Sequence, residues 1–159
     1  MEQCSPDHPK VLFLLALEGE PTPQQVEVVR AWAARLMTSR TWTVPAPQLV
    51  DETDDENICT LGVFTHLYSS FPPWGESIPL SVDASQLEDV RDLITAGSEL
   101  SRSVGEDIVV EYNGEAIGWI ERGRPDDNIT VGLLEEWRRG LDSEAQRRAK
   151  PRDPSDPAT

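Results

Sequence analysis

The sequence predicts an α+β domain, with an antiparallel or mixed sheet of about five strands and three helices packed on it. Three observations carry this. Segments whose apolar residues recur at helical spacing alternate with short β-branched runs, in the approximate order β-α-β-β-α-β-β-α and without internal repeats. Asn113-Gly114 stands between two such runs, and this dipeptide is preferred in two-residue type I′ hairpins. The chain has 159 residues, of which 38% are apolar and five are Trp, enough for a hydrophobic core and too many for a disordered chain.

The elements follow in order. Val11 to Leu17 is apolar on both faces, as expected of a central buried strand. Thr22 can cap a helix that starts at Pro23, with Gln25 placed to close a capping box. Val26, Val29, Ala33 and Leu36 then mark the buried stripe, and the helix should end near 37–39. Pro45, Pro47 and the acidic run Asp51 to Asn57 read as an exposed loop. Ile58 to Tyr68 reads as a strand, 71–75 as a loop bearing Phe71 and Trp74, and Ile78 to Val82 as a short edge strand.

A second helix is expected from Asp83 as cap, with Gln86 at its third position and Leu87, Val90, Ile94 and Leu100 inward. In the hairpin around Asn113-Gly114, Val110 should face Ile117 and Ile108 should face Trp119, placing all four side chains in the core. A third helix is expected from about Thr130, burying Leu133, Leu134, Trp137 and Leu141, with Gly140 ending or weakening it. The domain is thus read as 1–149, followed by a disordered Pro/Asp/Ser/Arg tail at 150–159.

Charge narrows the function. Twenty-nine Asp and Glu against fourteen Lys and Arg give a formal charge of −15. That field repels nucleic acid and anionic membrane and attracts basic protein surfaces. The apolar run at 11–17 is too short to span a bilayer, and no export signal precedes it. Cys4 and Cys59 form no disulfide framework, so a cytoplasmic location is expected.

Motifs for chemistry are missing. An EF-hand counted from Asp51 has Thr53 at position 3, Glu56 where Gly is required and Gly62 where Glu is required. His8, His66, Cys4 and Cys59 lack zinc-ligand spacing. Cys59 and His66 fall on opposite faces of their strand, which argues against a nucleophile–base pair. Glu111 and Glu115 likewise point apart, and Glu135 and Glu136 lie on the solvent side of their helix. No phosphate-binding, dinucleotide-binding or nucleophile-elbow motif occurs. The expectation is no metal, no cofactor and no catalytic set.

The remaining candidates are for partner binding: the acidic residues Asp51, Glu52, Asp54, Asp55 and Glu56, with Trp74 as a possible anchor. Trp32, Trp119 and Trp137 are read as core instead. In size and charge the chain is similar to the immunity proteins with which bacteria neutralise their own toxins, a likeness of class without a shared motif. It implies a basic protein partner, such as a toxin domain that acts on nucleic acid. The alternatives are a small-ligand domain, an enzyme without a local signature, or a complex-assembly module.

Overall fold

Seven consecutive apolar residues cannot alternate between core and solvent, and Lys10–Leu17 (β1) accordingly lies in the middle of a sheet. The structure is a computed structural model that describes residues 8–68 and 78–149. Phe71, Trp74 and the 150–159 tail lie outside the described residues. After β1 come helix α1 (Pro23–Thr38), strands β2 (Gln48–Thr53) and β3 (Cys59–Tyr68), helix α2 (Leu80–Val104), and strands β4 (Ile108–Tyr112), β5 (Glu115–Glu121) and β6 (Arg124–Pro125). A third helix, α3, runs over 127–149: an α turn Asp127–Ile129, a π segment Thr130–Glu135, and an α segment Glu136–Ala149.

The strand order is β2-β3-β1-β4-β5-β6, with every pair antiparallel. β1 to β4, with α1 and α2, form two interleaved βαβ units, the ferredoxin-like arrangement, which β5, β6 and α3 extend. The α+β class and the three helices are as expected, and the sheet has six strands.

All three helices pack on one face of the sheet. The register puts Phe13, Leu15 and Leu17 of β1 beside Val63 of β3 and Ile108 and Val110 of β4, and all of these are buried. Val29, Trp32, Ala33 and Leu36 of α1 and Val90, Leu93, Ile94 and Leu100 of α2 close over them. Each Val, Leu, Ile or Phe side chain among them contributes roughly 1.5–3 kcal/mol through burial. Trp32 also donates from Nε1 to the Ala96 carbonyl at 3.1 Å, tying α1 to α2. Ile129 of α3 is fully buried over Gly118 of β5, where a Cβ would come within 2.6 Å of it.

The α1 start is as read: Thr22 Oγ1 accepts from Gln25 N at 3.1 Å, while Gln25 Oε1 accepts from Thr22 N at 2.9 Å. Elsewhere the tertiary structure overrides the sequence reading. Ile78 to Val82 is not an edge strand: Pro79 is the N-cap of α2, and its φ of −56° suits entry into a helix. Asp83 therefore lies inside the first turn rather than capping it. Gln86 is fully buried, and its Oε1 accepts from Tyr68 N at 2.6 Å while Nε2 donates to Tyr68 O at 3.4 Å. It occupies a polar core position because it satisfies the last peptide of β3.

The hairpin turn is as expected, with φ of 54° at Asn113 and 83° at Gly114. The register is not. A bulge between Val110 and Glu111 pairs Val110 with Gly118, Ile108 with Ile120 and Val109 with Trp119. Ile120 takes the core position expected for Trp119, and Trp119 turns to the other face, half-buried, donating to Glu18 Oε1 at 2.6 Å. Ile117 is half-buried rather than enclosed. Asp126 fixes this register, accepting from Trp119 N at 3.0 Å through Oδ2 while Oδ1 caps α3 at Ile129 N. The third helix therefore starts at Asp127, three residues before the expected Thr130, and passes through Gly140 unbroken.

Candidate protein-binding surface

The sheet face opposite the helices carries no helix among the described residues, yet it is apolar. Side chains alternate across the sheet, so register places Leu12, Leu14, Val50, Phe64, Val109 and Trp119 on this face together. Leu12 is 37% exposed, and the other five are partly exposed. An antiparallel sheet with one solvated face ordinarily shows polar residues there. This explains why β1 reads as apolar on both sides: one side is core and the other is a patch that no described helix covers. Phe64 packs edge-to-face on His66, with ring centroids 5.9 Å apart, and Lys10 Nζ lies 5.3 Å from the centre of the Tyr68 ring.

The five candidate acids do not form a loop. Gln48–Thr53 is the edge strand β2, and only the tip of the β2–β3 hairpin is a turn. Pairing with β3 gives this acidic run its strand conformation despite poor β propensity. Neighbouring residues now point to opposite faces. Asp51 faces the helices, where its Oδ2 accepts from Arg30 Nη2 at 2.7 Å. Glu52 points to the open face beside the apolar patch.

Asp54 has a structural role: its Oδ1 accepts from Glu56 N at 2.8 Å and Ile58 N at 2.9 Å, shaping the turn in which Asn57 takes a φ of 63°. Asp55 and Glu56 are exposed at the tip. The edge strand is also guarded by this charge, which discourages pairing with another sheet.

Glu18, Glu111 and Glu121 border the same face from β1, β4 and β5, so carboxylates lie on several sides of the patch. The positions on the open face were readable as alternation only once the pairing partners and the side bearing the helices were known. The signal available in the sequence was the unbroken run in β1.

Cys59 and His66 sit on opposite faces of β3, and His66 is exposed. Among the described residues no group of three or more His, Cys, Asp or Glu is placed to hold a metal ion, and no helix is long and apolar enough to cross a membrane. Trp137, expected in the core, is half-buried and donates to Asp83 Oδ1 at 2.9 Å. The chain matches no known protein family, no curated protein and no solved structure.

Proposed function

We propose that this domain binds a basic protein through the open face of its sheet and the acidic hairpin at its edge, neutralising that protein as an immunity protein neutralises a toxin. The supporting observation is the sheet face on which no described helix packs, where an apolar centre of Leu12, Leu14, Phe64 and Trp119 meets carboxylates at its margins. A contiguous exposed apolar patch rimmed by polar groups is the usual form of an interaction site. A net charge of −15 selects a cationic partner and steers its approach. The immunity role is the form of this function that fits a small, strongly acidic domain.

The test separates rim from centre. The partner is captured from native lysate, identified, purified and returned to the domain for kinetics at low and high salt. Asp51 is paired with Arg30 and Asp54 shapes the turn, so the charge variant is Glu52→Gln, Asp55→Asn, Glu56→Gln. It is expected to slow association and flatten its salt dependence with little change in stability. Trp119→Ala is expected to speed dissociation at a binding cost of about 2 kcal/mol or more. Its folding cost is about 1–2 kcal/mol, below that of a fully buried aromatic, because only part of the ring leaves water. An acidic partner, or kinetics that neither variant alters, would overturn the reading.

A further inference from the structure

The pairing registers arrange the open face in rows that cross the strands. Val50, Gly62, Ala16, Val109 and Trp119 stand side by side, one each from β2, β3, β1, β4 and β5. Two residues along each strand, or roughly 7 Å nearer the β2–β3 turn, lies a second row. It holds Glu52, Thr60, Glu18, Asp107 and Glu121: Glu52 pairs with Thr60, the Glu18 N–H donates to the Asp107 carbonyl at 2.9 Å, and Asp107 and Glu121 flank the Ile108–Ile120 pair. Glu18, Glu52 and Glu121 are exposed, and Asp107 is half-buried. Arg124, the partner of Glu121 on β6, ends this row with the opposite sign. Phe64 and Leu14 border the apolar row on its other side.

The acids alone would mark only a charged margin. The apolar row beside them gives an occupant its shape. The Trp119 indole donates to Glu18 two strands away, so it lies along the row. From β2 to β5 is four strand spacings, about 19 Å. A helix rises 1.5 Å per residue, so about 13 residues span that distance. Its width of about 10 Å exceeds the row spacing, so its flanks reach the acids on one side and Phe64 and Leu14 on the other. An extended segment fits less well, because its side chains alternate toward and away from the face and none projects along one flank. A second copy of this chain would bring another charge of −15 against the same acids.

We infer that the partner docks a cationic amphipathic helix across the strands, its apolar stripe on the row from Val50 to Trp119 and its Lys and Arg flank along Glu52, Glu18, Asp107 and Glu121. This rests on the reading of the open face as the binding surface for a basic protein, and adds which element of that protein is bound.

The probe is a synthetic peptide of 14 residues, Leu and Lys, with a leucine stripe at helical spacing and lysines on one flank. A permuted peptide of the same composition, without the stripe, is the control. Both are titrated into the full chain by calorimetry at 0.15 M salt, where exposed charges are screened beyond about 8 Å. The striped peptide is expected to bind one-to-one, about tenfold or more tighter than the control. It should also gain helicity by circular dichroism, because so short a helix is marginal in water. Glu52→Gln with Glu121→Gln should weaken binding about tenfold, whereas Asp55→Asn with Glu56→Gln, an equal change of charge off the row, should change it less than about threefold. Absence of saturable binding by the striped peptide overturns the inference. Equal binding of the two peptides, or equal effects of the two double variants, shows that charge alone draws basic chains; the helix is then overturned and the basic-partner reading stands. Self-association of the chain alone, abolished by Trp119→Ala, would seat a second copy on the row and overturn the occupant. The basic-partner reading fails by a separate result, an acidic partner captured from native lysate.

Discussion

Asp89→Ala is expected to lower the free energy of unfolding by about 3–5 kcal/mol, measured by urea denaturation. Asp89 is fully buried in α2, and its carboxylate organises the segment that leaves α1. Oδ2 accepts from Thr43 N at 2.9 Å and Val44 N at 3.2 Å, and Oδ1 lies 3.0 Å from Arg40 Nη2 without the alignment of a hydrogen bond. Truncation strands two peptide donors and leaves Arg40 without its buried partner. Arg40 also meets Asp92 and stacks over Trp42, its guanidinium 5.2 Å from the ring centre.

Asp92 is exposed, so Asp92→Ala should cost less than about 1 kcal/mol. Equal effects of the two variants would mean that burial of Asp89 is not what matters. Burial pushes the Asp89 carboxyl above its ordinary range, opposed by the two amides and by Arg40. For a folded value raised above the unfolded one, the contribution to stability is fully present below the unfolded value and is lost as pH rises through the folded one. Asp89→Asn should remove that component of the pH dependence.

Gly62→Ala is expected to cost about 3 kcal/mol or more, at the upper end of overpacking effects. Gly62 pairs with Ala16 at the centre of the sheet. A Cβ there would lie 1.8 Å from the Leu15 carbonyl oxygen and 2.8 Å from Ala16 Cα. Both are backbone atoms of β1, so no rotamer change relieves the conflict and the two strands must separate. Faster amide hydrogen exchange in β1 and β3 should accompany the loss. Gly97 makes the contrast: its added Cβ would meet only the side-chain ends of Leu15 and Ile120, at 2.7 Å and 2.9 Å. Those ends can shift, and Ala favours the helix by about 1 kcal/mol, so Gly97→Ala should be much the milder change. A Gly62→Ala variant as stable as the parent would show that β1 and β3 do not approach this closely.

The sequence by itself determined the features that depend on a few adjacent residues. The capping box of Thr22 and Gln25, the Asn113-Gly114 turn, and the apolar stripes of α1 and α2 follow from local hydrogen bonding, backbone conformation and helical periodicity. The α+β class follows from their order. What only the tertiary structure decided depends on partners distant in sequence. An acidic run became an edge strand because β3 offered it a hydrogen-bonding ladder. A bulge, fixed by Asp126 from the start of α3, moved Ile120 into the core and Trp119 out of it. The candidate surface shares this origin: period-2 alternation shows that a strand has two sides, but the side left open was decided by where three helices found room to pack.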